Sequence, residues 1–521
     1  MNILQGLTHA SKIAGSRQAI VCGDTHYTWN EFDQRTDALA RGLASLGVQR
    51  GDRIAVVMLN CHRYLELYYA CARMGAVIVP LNIRLARSEI VFILNDSETK
   101  VLVVDKTFAS YVTGRDTFPT VETILYNGDE TPEGMLSYEE LLKTGTQIQQ
   151  SADQEMEDND ISGLYYTGGT TGRAKGVMLS HKNVVSNAFH MIMAASYTGQ
   201  DIYLHAGPMF HLADVASIFA MTMVGGCHVF IPLFNPVALL ETVQREHVTA
   251  TLLVPTMINA LLNHPAVDNY DISSLRRITY GGSPMPLELL KKGLQKWGPL
   301  FVQAYGMTEA APLLTMLDPQ DCSIDGTPEQ VRRLASCGKE SLGVEVRVVS
   351  TDGRDVQPGE IGEIIARGPN IMLGYWRMPE ATTAAIVDGW YHTGDLATID
   401  EENFIYIVDR AKDMIISGGE NIYCVEVENA LYTHPAVLEA AVVGIPDETW
   451  GESVHAIIVC KSGMSVSRDE LIAHVRTQIA SYKVPRSIEF QAEALPKSGA
   501  GKILKRDLRE KYWVGKSRRV N

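Results

Sequence analysis

The apolar positions along the chain fall into two textures. Up to about residue 310, short runs rich in Val, Ile and Leu recur between amphipathic stretches: RIAVVMLN (53–60), AVIVPLN (76–82), KVLVVD (100–105), TATLLVP (249–255), RRITYGG (276–282) and LFVQAYG (300–306). Apolar runs of strand length alternating with helical periodicity predict parallel strands buried on both faces. Val215 to Leu240 carries no Asp, Glu, Lys or Arg. Gly225-Gly226, His228, Pro232 and Pro236 interrupt it, whereas a membrane span needs ~20 apolar residues in one helix. It reads as a buried helix, a Gly-Gly turn and a buried strand.

From about 343 the pattern shortens to VEVRVVSTDGRDVQPGEIGEIIARG, short strands between Gly and Pro turns, which predicts a small β-rich module. Beyond about 410 a further α/β unit begins. VEVENALYTHPAV predicts a helix ended at His434-Pro435, and LEAAVVGIPD and ESVHAIIVC predict strands. Ser467-x-x-Glu470 has the form of a capping box ahead of the one-faced set Leu471, Ile472, Val475 and Ile479. The expected class is α/β. The domains expected are a large N-terminal one, 1–411, and a small C-terminal one, 412–521.

Composition changes the picture little. A chain of 521 residues and 57.4 kDa with 46% hydrophobic and 21% charged residues is globular and too long for one ordinary domain. The net charge of −15 excludes nucleic acid as an expected partner. The last residues depart from this balance: Lys497 to Asn521 holds nine Lys or Arg against Asp507 and Glu510. Eight cysteines are scattered with no CxxC pair, which predicts buried thiols in a reducing cytosol. The opening MNILQGLTHASKIAG lacks the basic start and apolar run of a signal peptide. A cytoplasmic protein without a transmembrane segment is expected.

The chemistry concentrates at YTGGTTGRAKGVMLSH, Tyr166 to His181. Glycines let backbone N–H groups approach a phosphate, threonine hydroxyls donate, and Lys175 adds charge. It is not a Walker loop, since Lys175 follows Ala174 and precedes Gly176. A tight turn is the plain alternative. Further along come Tyr280-Gly281-Gly282-Ser283, QAYGMTE (303–309), WYHTGDL (390–396), DRAKDMIISGGENIY (409–423) and LPKSGAGK (495–502). In this order, through almost the whole chain, the strings resemble the adenylate-forming superfamily, in its acyl- and aryl-CoA ligase branch.

The resemblance implies two mostly parallel sheets with helices, a β-barrel-like module and a mobile C-terminal domain. It implies ATP, Mg²⁺ and coenzyme A as cofactors, a small carboxylic acid as substrate, and allows a homodimer. Thr167, Gly168, Gly169, Thr170, Thr171, Gly172 and Lys175 would hold the ATP phosphates. Gly281, Gly282, Ser283, Tyr305 and Gly306 would enclose adenine, while Asp395 and Arg410 would hold the ribose. Thr308 matches the residue that contacts the α-phosphate or acyl carboxylate, and Glu309 the Mg²⁺-binding glutamate. Lys502, on an exposed and movable Gly-rich turn, would be the adenylation lysine, against the alternative of a solvated basic tail.

For thiol attack, Lys412 matches the hinge of the mobile domain. Gly418, Gly419 and Glu420 suit passage of a pantetheine arm, and Trp450 either packs on that arm or is a packing aromatic. Arg84, Tyr482, Lys483 and Arg486 are candidates for the CoA phosphates. Val484 departs from the arginine of that branch, and Cys424 stands where many relatives have proline. The acyl pocket would draw on Phe210, His211, Asp214, Tyr280, Met307 and Ala310. His211 either lines the site or is structural; Asp214 either holds an amino group or caps the following helix. The expected acid is an apolar fatty or aromatic monocarboxylate. The alternative acceptor is a carrier-protein phosphopantetheine.

Overall fold

The structure is a computed structural model that describes residues 2–112, 114–167, 174–499 and 501–514. Two parallel sheets dominate. In the first, strands Ile161–Thr167, Val77–Pro80, Arg53–Val57, Thr99–Asp105, Thr123–Asn127 and Leu136–Ser137 run parallel, with Lys175–Ser180 and then Gly374–Tyr375 added antiparallel at one edge. In the second, the parallel order is Phe301–Gly306, Arg277–Gly281, Ala250–Leu253, Ile202–His205, Cys227–Phe230 and Gln18–Cys22. Antiparallel strands Leu313–Leu317 and Thr25–Thr28 flank it.

The near-continuous apolar runs are explained by what lies between the sheets. Helices His62–Met74 and Leu212–Val224 are buried almost throughout, and one core joins both sheets through them, from Val56 and Tyr69 to Phe219 and Leu252. The charge-free segment forms this second helix, a turn at Gly225-Gly226 and the strand Cys227–Phe230, as the pattern predicts. Among the described residues no helix is long and apolar enough to cross a membrane.

The β-rich module is an antiparallel sheet of Glu345–Val349, Gly362–Arg367, Trp390–Ile399 and Ile386–Val387, with Ile405–Arg410 on the third strand. The chain then forms the antiparallel strands Val437–Asp447 and Gly451–Cys460, with Ser487–Gln491 parallel to the latter. Helices Cys424–Tyr432 and Arg468–Arg476 pack on this sheet through Val427, Leu431, Leu471 and Val475. The capping box is half formed. Ser467 Oγ accepts from Glu470 N–H at 3.2 Å, while the Glu470 carboxylate turns toward His434 Nε2 at 3.7 Å.

Candidate active site

A cleft of about 1190 Å³ opens at the C-terminal ends of the parallel strands, roofed by residues beyond 412. Thr167 ends one strand, Gly281-Gly282-Ser283 ends a second, and Tyr305, Gly306 and Thr308 end a third. Phe210 and His211 line it from the loop entering the buried helix; Asp395, Arg410 and Lys412 come from the β-rich module and its exit, and Lys502 from the basic C-terminal segment. Two of the glycines are fixed by packing: a Cβ at Gly281 would lie 2.1 Å from Ala304 O, and one at Gly306 1.8 Å from Pro312 O.

Asp395 and Arg410 are direct partners across an antiparallel ladder. Arg410 Nε lies 3.0 Å from Asp395 Oδ1, and the Tyr305 hydroxyl donates to Oδ2 at 2.9 Å. The carboxylate is 5% exposed. Each of its oxygens keeps a lone pair for a further donor, as a ribose diol requires. Burial, and then the Asp395 charge, hold the Tyr305 phenol well above its ordinary range, so it stays a donor.

Glu309 and Lys175 stand just behind the lining residues Thr308 and Thr167. Tyr375 joins them: its hydroxyl donates to Glu309 Oε1 at 3.0 Å, and Lys175 Nζ sits 4.8 Å from its ring centroid. Burial and the Glu309 charge raise the Tyr375 phenol. Among the described residues no group of three or more His, Cys, Asp or Glu could hold a metal ion by itself. A single carboxylate fits a Mg²⁺ held jointly with nucleotide phosphates. The predicted residues Gly168, Gly169, Thr170, Thr171 and Gly172 lie outside the described residues. Thr167 and Lys175, the cross-strand pair on either side of them, are in place.

Lys502 departs from the expected exposed turn. Ser498 N–H donates to Lys502 O at 2.7 Å and Lys502 N–H to Ser498 Oγ at 3.2 Å, closing a tight loop. The N-terminal body grips that loop: Arg84 Nη1 donates to Ser498 O at 3.1 Å and Thr256 Oγ1 to Gly501 O at 3.3 Å. The lysine's ammonium end is thereby enclosed in the cleft. Burial, and then the positive Arg410, push it down to about 7, against the pull of Asp395 and Asp413. His211 is pushed down to about 4, mainly by burial and then by Lys502, so its imidazole is neutral. His211 Nδ1 accepts from Ala213 N–H at 3.3 Å and caps the buried helix.

Several expected contacts are not made. Tyr280 points away from the cleft because strand side chains alternate; it packs in the core behind the sheet and donates to Gln303 Oε1 at 3.2 Å. Ala310 is fully buried in the core of the β-rich module, and its carbonyl accepts from Asn370 Nδ2. Asp214 neither caps the helix nor faces the cleft: it is 1% exposed and paired with His205 Nδ1 at 2.7 Å. Met307 lines a small chamber at the inner end of the cleft. Gly418, Gly419, Glu420 and Trp450 form a separate cluster on the C-terminal unit, where the indole covers Gly418 and the Arg486 guanidinium stacks on it at 4.5 Å. Lys483 is paired with Glu426 at 2.8 Å. Sequence reading missed Tyr375. Its role arises from two edge strands meeting, and no local pattern marks it.

A family model for AMP-binding enzymes matches residues 7–376, and one for the AMP-binding enzyme C-terminal domain matches 426–502. The chain belongs to the AMP-binding enzymes, the adenylate-forming superfamily, and is an acid–thiol ligase. It is 40% identical to a feruloyl-CoA synthase of Amycolatopsis sp over 500 residues, covering 95% of this chain and 96% of that one. It is 33% identical to the fatty acid–[acyl-carrier-protein] ligase ScoC of Streptomyces coeruleorubidus, covering 96% and 95%. Among solved structures it resembles the o-succinylbenzoate CoA synthetase MenE from Bacillus subtilis in complex with its acyl-adenylate, with a TM-score of 0.84, 31% identity and 98% of each chain covered.

Proposed function

We propose that the protein joins an apolar or aromatic monocarboxylic acid to coenzyme A at the expense of ATP. The acid's carboxylate attacks the α-phosphate, giving acyl-adenylate and pyrophosphate; the CoA thiol then attacks the acyl carbon, giving acyl-CoA and AMP. One observation carries this reading. A diol acceptor (Asp395), a flat buried phenol (Tyr305), a hydroxyl (Thr308) and an enclosed cation (Lys502) converge on one cleft.

The first step brings anion to anion, so what the chain contributes is charge and position. Asp395 and Arg410 orient the ribose, and Tyr305 and Gly281-Gly282 flank the base. Thr308 donates to the reacting carboxylate or α-phosphate. Lys502, once a phosphate anion restores its proton, neutralises the charge that builds on the transferred group. Mg²⁺ bound at Glu309, with Tyr375 steadying the carboxylate, would supply further neutralisation of the phosphates.

The chamber that receives the acid is lined by Met191, Leu252, Met307 and Leu313, with no charged side chain. With Asp214 committed to His205, no carboxylate awaits an amino group. This favours a monocarboxylate over an amino acid.

In the second step the unit 412–521 would turn about Lys412, withdrawing Lys502 and presenting Gly418, Gly419, Glu420 and Trp450 to the pantetheine arm. The direct test is AMP formation dependent on ATP and CoA across fatty, phenylpropanoid and benzoic acids. CoA-dependent turnover is expected with at least one class. Inertness toward CoA, with acylation of a carrier-protein phosphopantetheine instead, would replace CoA as the acceptor.

A further inference from the structure

Glu309 is held by three separate segments. It sits in the short turn Thr308–Ala310 after the strand Phe301–Gly306, and its backbone carbonyl accepts from Met372 N–H at 2.8 Å. Its side chain is met by Tyr375, which arrives on the two-residue strand Gly374–Tyr375 against Met178 and Val177. That approach is fixed from the other side as well. Tyr375 N–H donates to Thr382 Oγ1 at 2.9 Å, and a Cβ at Gly374 would lie 2.6 Å from Thr382 Cγ2. The third segment is the strand Trp390–Ile399. Its Tyr391 stands with its hydroxyl within hydrogen-bonding reach of Tyr375's, and four residues further on the same strand supplies Asp395.

The two hydroxyls order one another. Tyr375 is 8% exposed and Tyr391 4%, and burial raises both phenols well above their ordinary range, so each keeps its proton. Tyr375 has one proton and gives it to Glu309 Oε1 at 3.0 Å. Only its lone pairs remain for Tyr391, which is therefore the donor of the pair. The chain of protons runs one way, from Tyr391 to Tyr375 and from Tyr375 to the carboxylate. The Tyr375 ring has a second contact, since Lys175 Nζ lies 4.8 Å from its centroid.

Neither tyrosine lines the cleft, so both act through groups that reach toward it. Among the described residues, Oε1 alone of the Glu309 oxygens has a hydrogen-bond donor. Tying one oxygen leaves the other as a single-oxygen ligand, the form that suits an octahedral Mg²⁺ shared with nucleotide phosphates. Fixing a glutamate side chain in advance also removes an entropic cost worth roughly tenfold in affinity.

We infer that Tyr391 is a positioning residue for the metal–nucleotide complex: acting through the Tyr375 hydroxyl, it aims the Glu309 carboxylate, while the Tyr375 ring seats Lys175. The strand that holds the ribose through Asp395 thereby also sets the metal carboxylate. This rests on the acid–CoA ligase reading of the same cleft, with Glu309 as its Mg²⁺ carboxylate.

The test is calorimetric titration of the full chain with ATP, in Mg²⁺ and in EDTA, without acid or CoA. The ratio of the two affinities measures how far the metal strengthens ATP binding. Tyr375→Phe keeps the ring and loses the hydroxyl, so the ratio should fall roughly tenfold while the affinity in EDTA is unchanged. Tyr391→Phe should lower the ratio severalfold. The double variant should fall no further than Tyr375→Phe, because the outer hydroxyl acts only through the inner one. Tyr375→Leu, which also takes the ring from Lys175, should weaken binding in EDTA as well, and melting curves verify that each variant is folded. A wild-type ratio in Tyr391→Phe, or losses that add in the double variant, would overturn the inference while leaving the ligase reading intact. Wild-type protein that binds no ATP, or binds it equally in Mg²⁺ and EDTA, would instead strike that reading of the cleft, and the inference with it.

Discussion

Lys502 offers the sharpest test of the cleft. Its fall from 10.5 to about 7 corresponds to a cost of up to about 5 kcal/mol for holding an ammonium between Arg410 and the cleft walls without an anion. The free protein therefore carries Lys502 charged below pH 7 and neutral above it, and a phosphate anion must restore the proton. In the adenylation half-reaction, measured as pyrophosphate release without CoA so that no thiol ionisation intrudes, kcat/KM for MgATP should fall about tenfold per pH unit above pH 7. The Lys502→Arg variant keeps its charge, so whatever activity it retains should lose that alkaline limb; Lys502→Ala should abolish pyrophosphate release while thiolysis of a supplied acyl-adenylate survives.

Stability gives an independent reading. A lysine with a lowered folded-state pKa binds fewer protons folded than unfolded between pH 7 and 10.5, so the ligand-free protein gains stability as pH rises through that window. Lys502→Met should accordingly raise Tm at pH 6 and have little effect above pH 10. An alkaline limb near pH 10 in the wild type, or the same limb near 7 in the arginine variant, would refute the enclosed position. Equal loss of both half-reactions in Lys502→Ala would refute the role.

Two further outcomes follow from contacts of the same site. Asp395→Asn weakens the acceptor shared by Arg410 and Tyr305; charge-assisted bonds of this kind are worth about 1.5–3 kcal/mol, so KM for ATP should rise roughly 10- to 100-fold in steady-state assays. Arg84→Ala releases Ser498 O, and adenylation should slow several-fold with thiolysis of supplied adenylate unchanged; the reverse pattern would return Arg84 to the CoA phosphates.

Much of this was legible because the signals are local. The buried strands were marked by their apolar runs, and the helix over 212–224 by its charge-free run from Val215 and by the glycines that end it. Asp395 and Arg410 were each read from their motifs, although only the hairpin register makes them partners. What escaped depends on distant segments meeting. Tyr375 reaches Glu309 across 66 positions because a two-residue strand docks on the edge strand beside the Thr/Gly loop. Asp214 offered a cap or an amine site to the reader of one segment. Its actual partner, His205, comes from the adjoining strand, whose neighbour supplies His228 against the other ring nitrogen. The enclosure of Lys502 was hidden too, since the glycines that suggested freedom sit where Arg84 and Thr256 hold the loop.

The strand Ile405–Arg410 ends with the arginine that pairs with Asp395, and Lys412 lies two residues further on. Between them and the C-terminal unit stands Asp409, buried, whose carboxylate accepts from Arg410 N–H at 2.8 Å and from Cys424 N–H, the first residue of the unit's leading helix, at 2.5 Å. In the proposed reaction the nucleotide grip and the pivot would be consecutive links of one short lever, so that a ligand shifting Arg410 would act at the root of the moving part rather than through a distant relay.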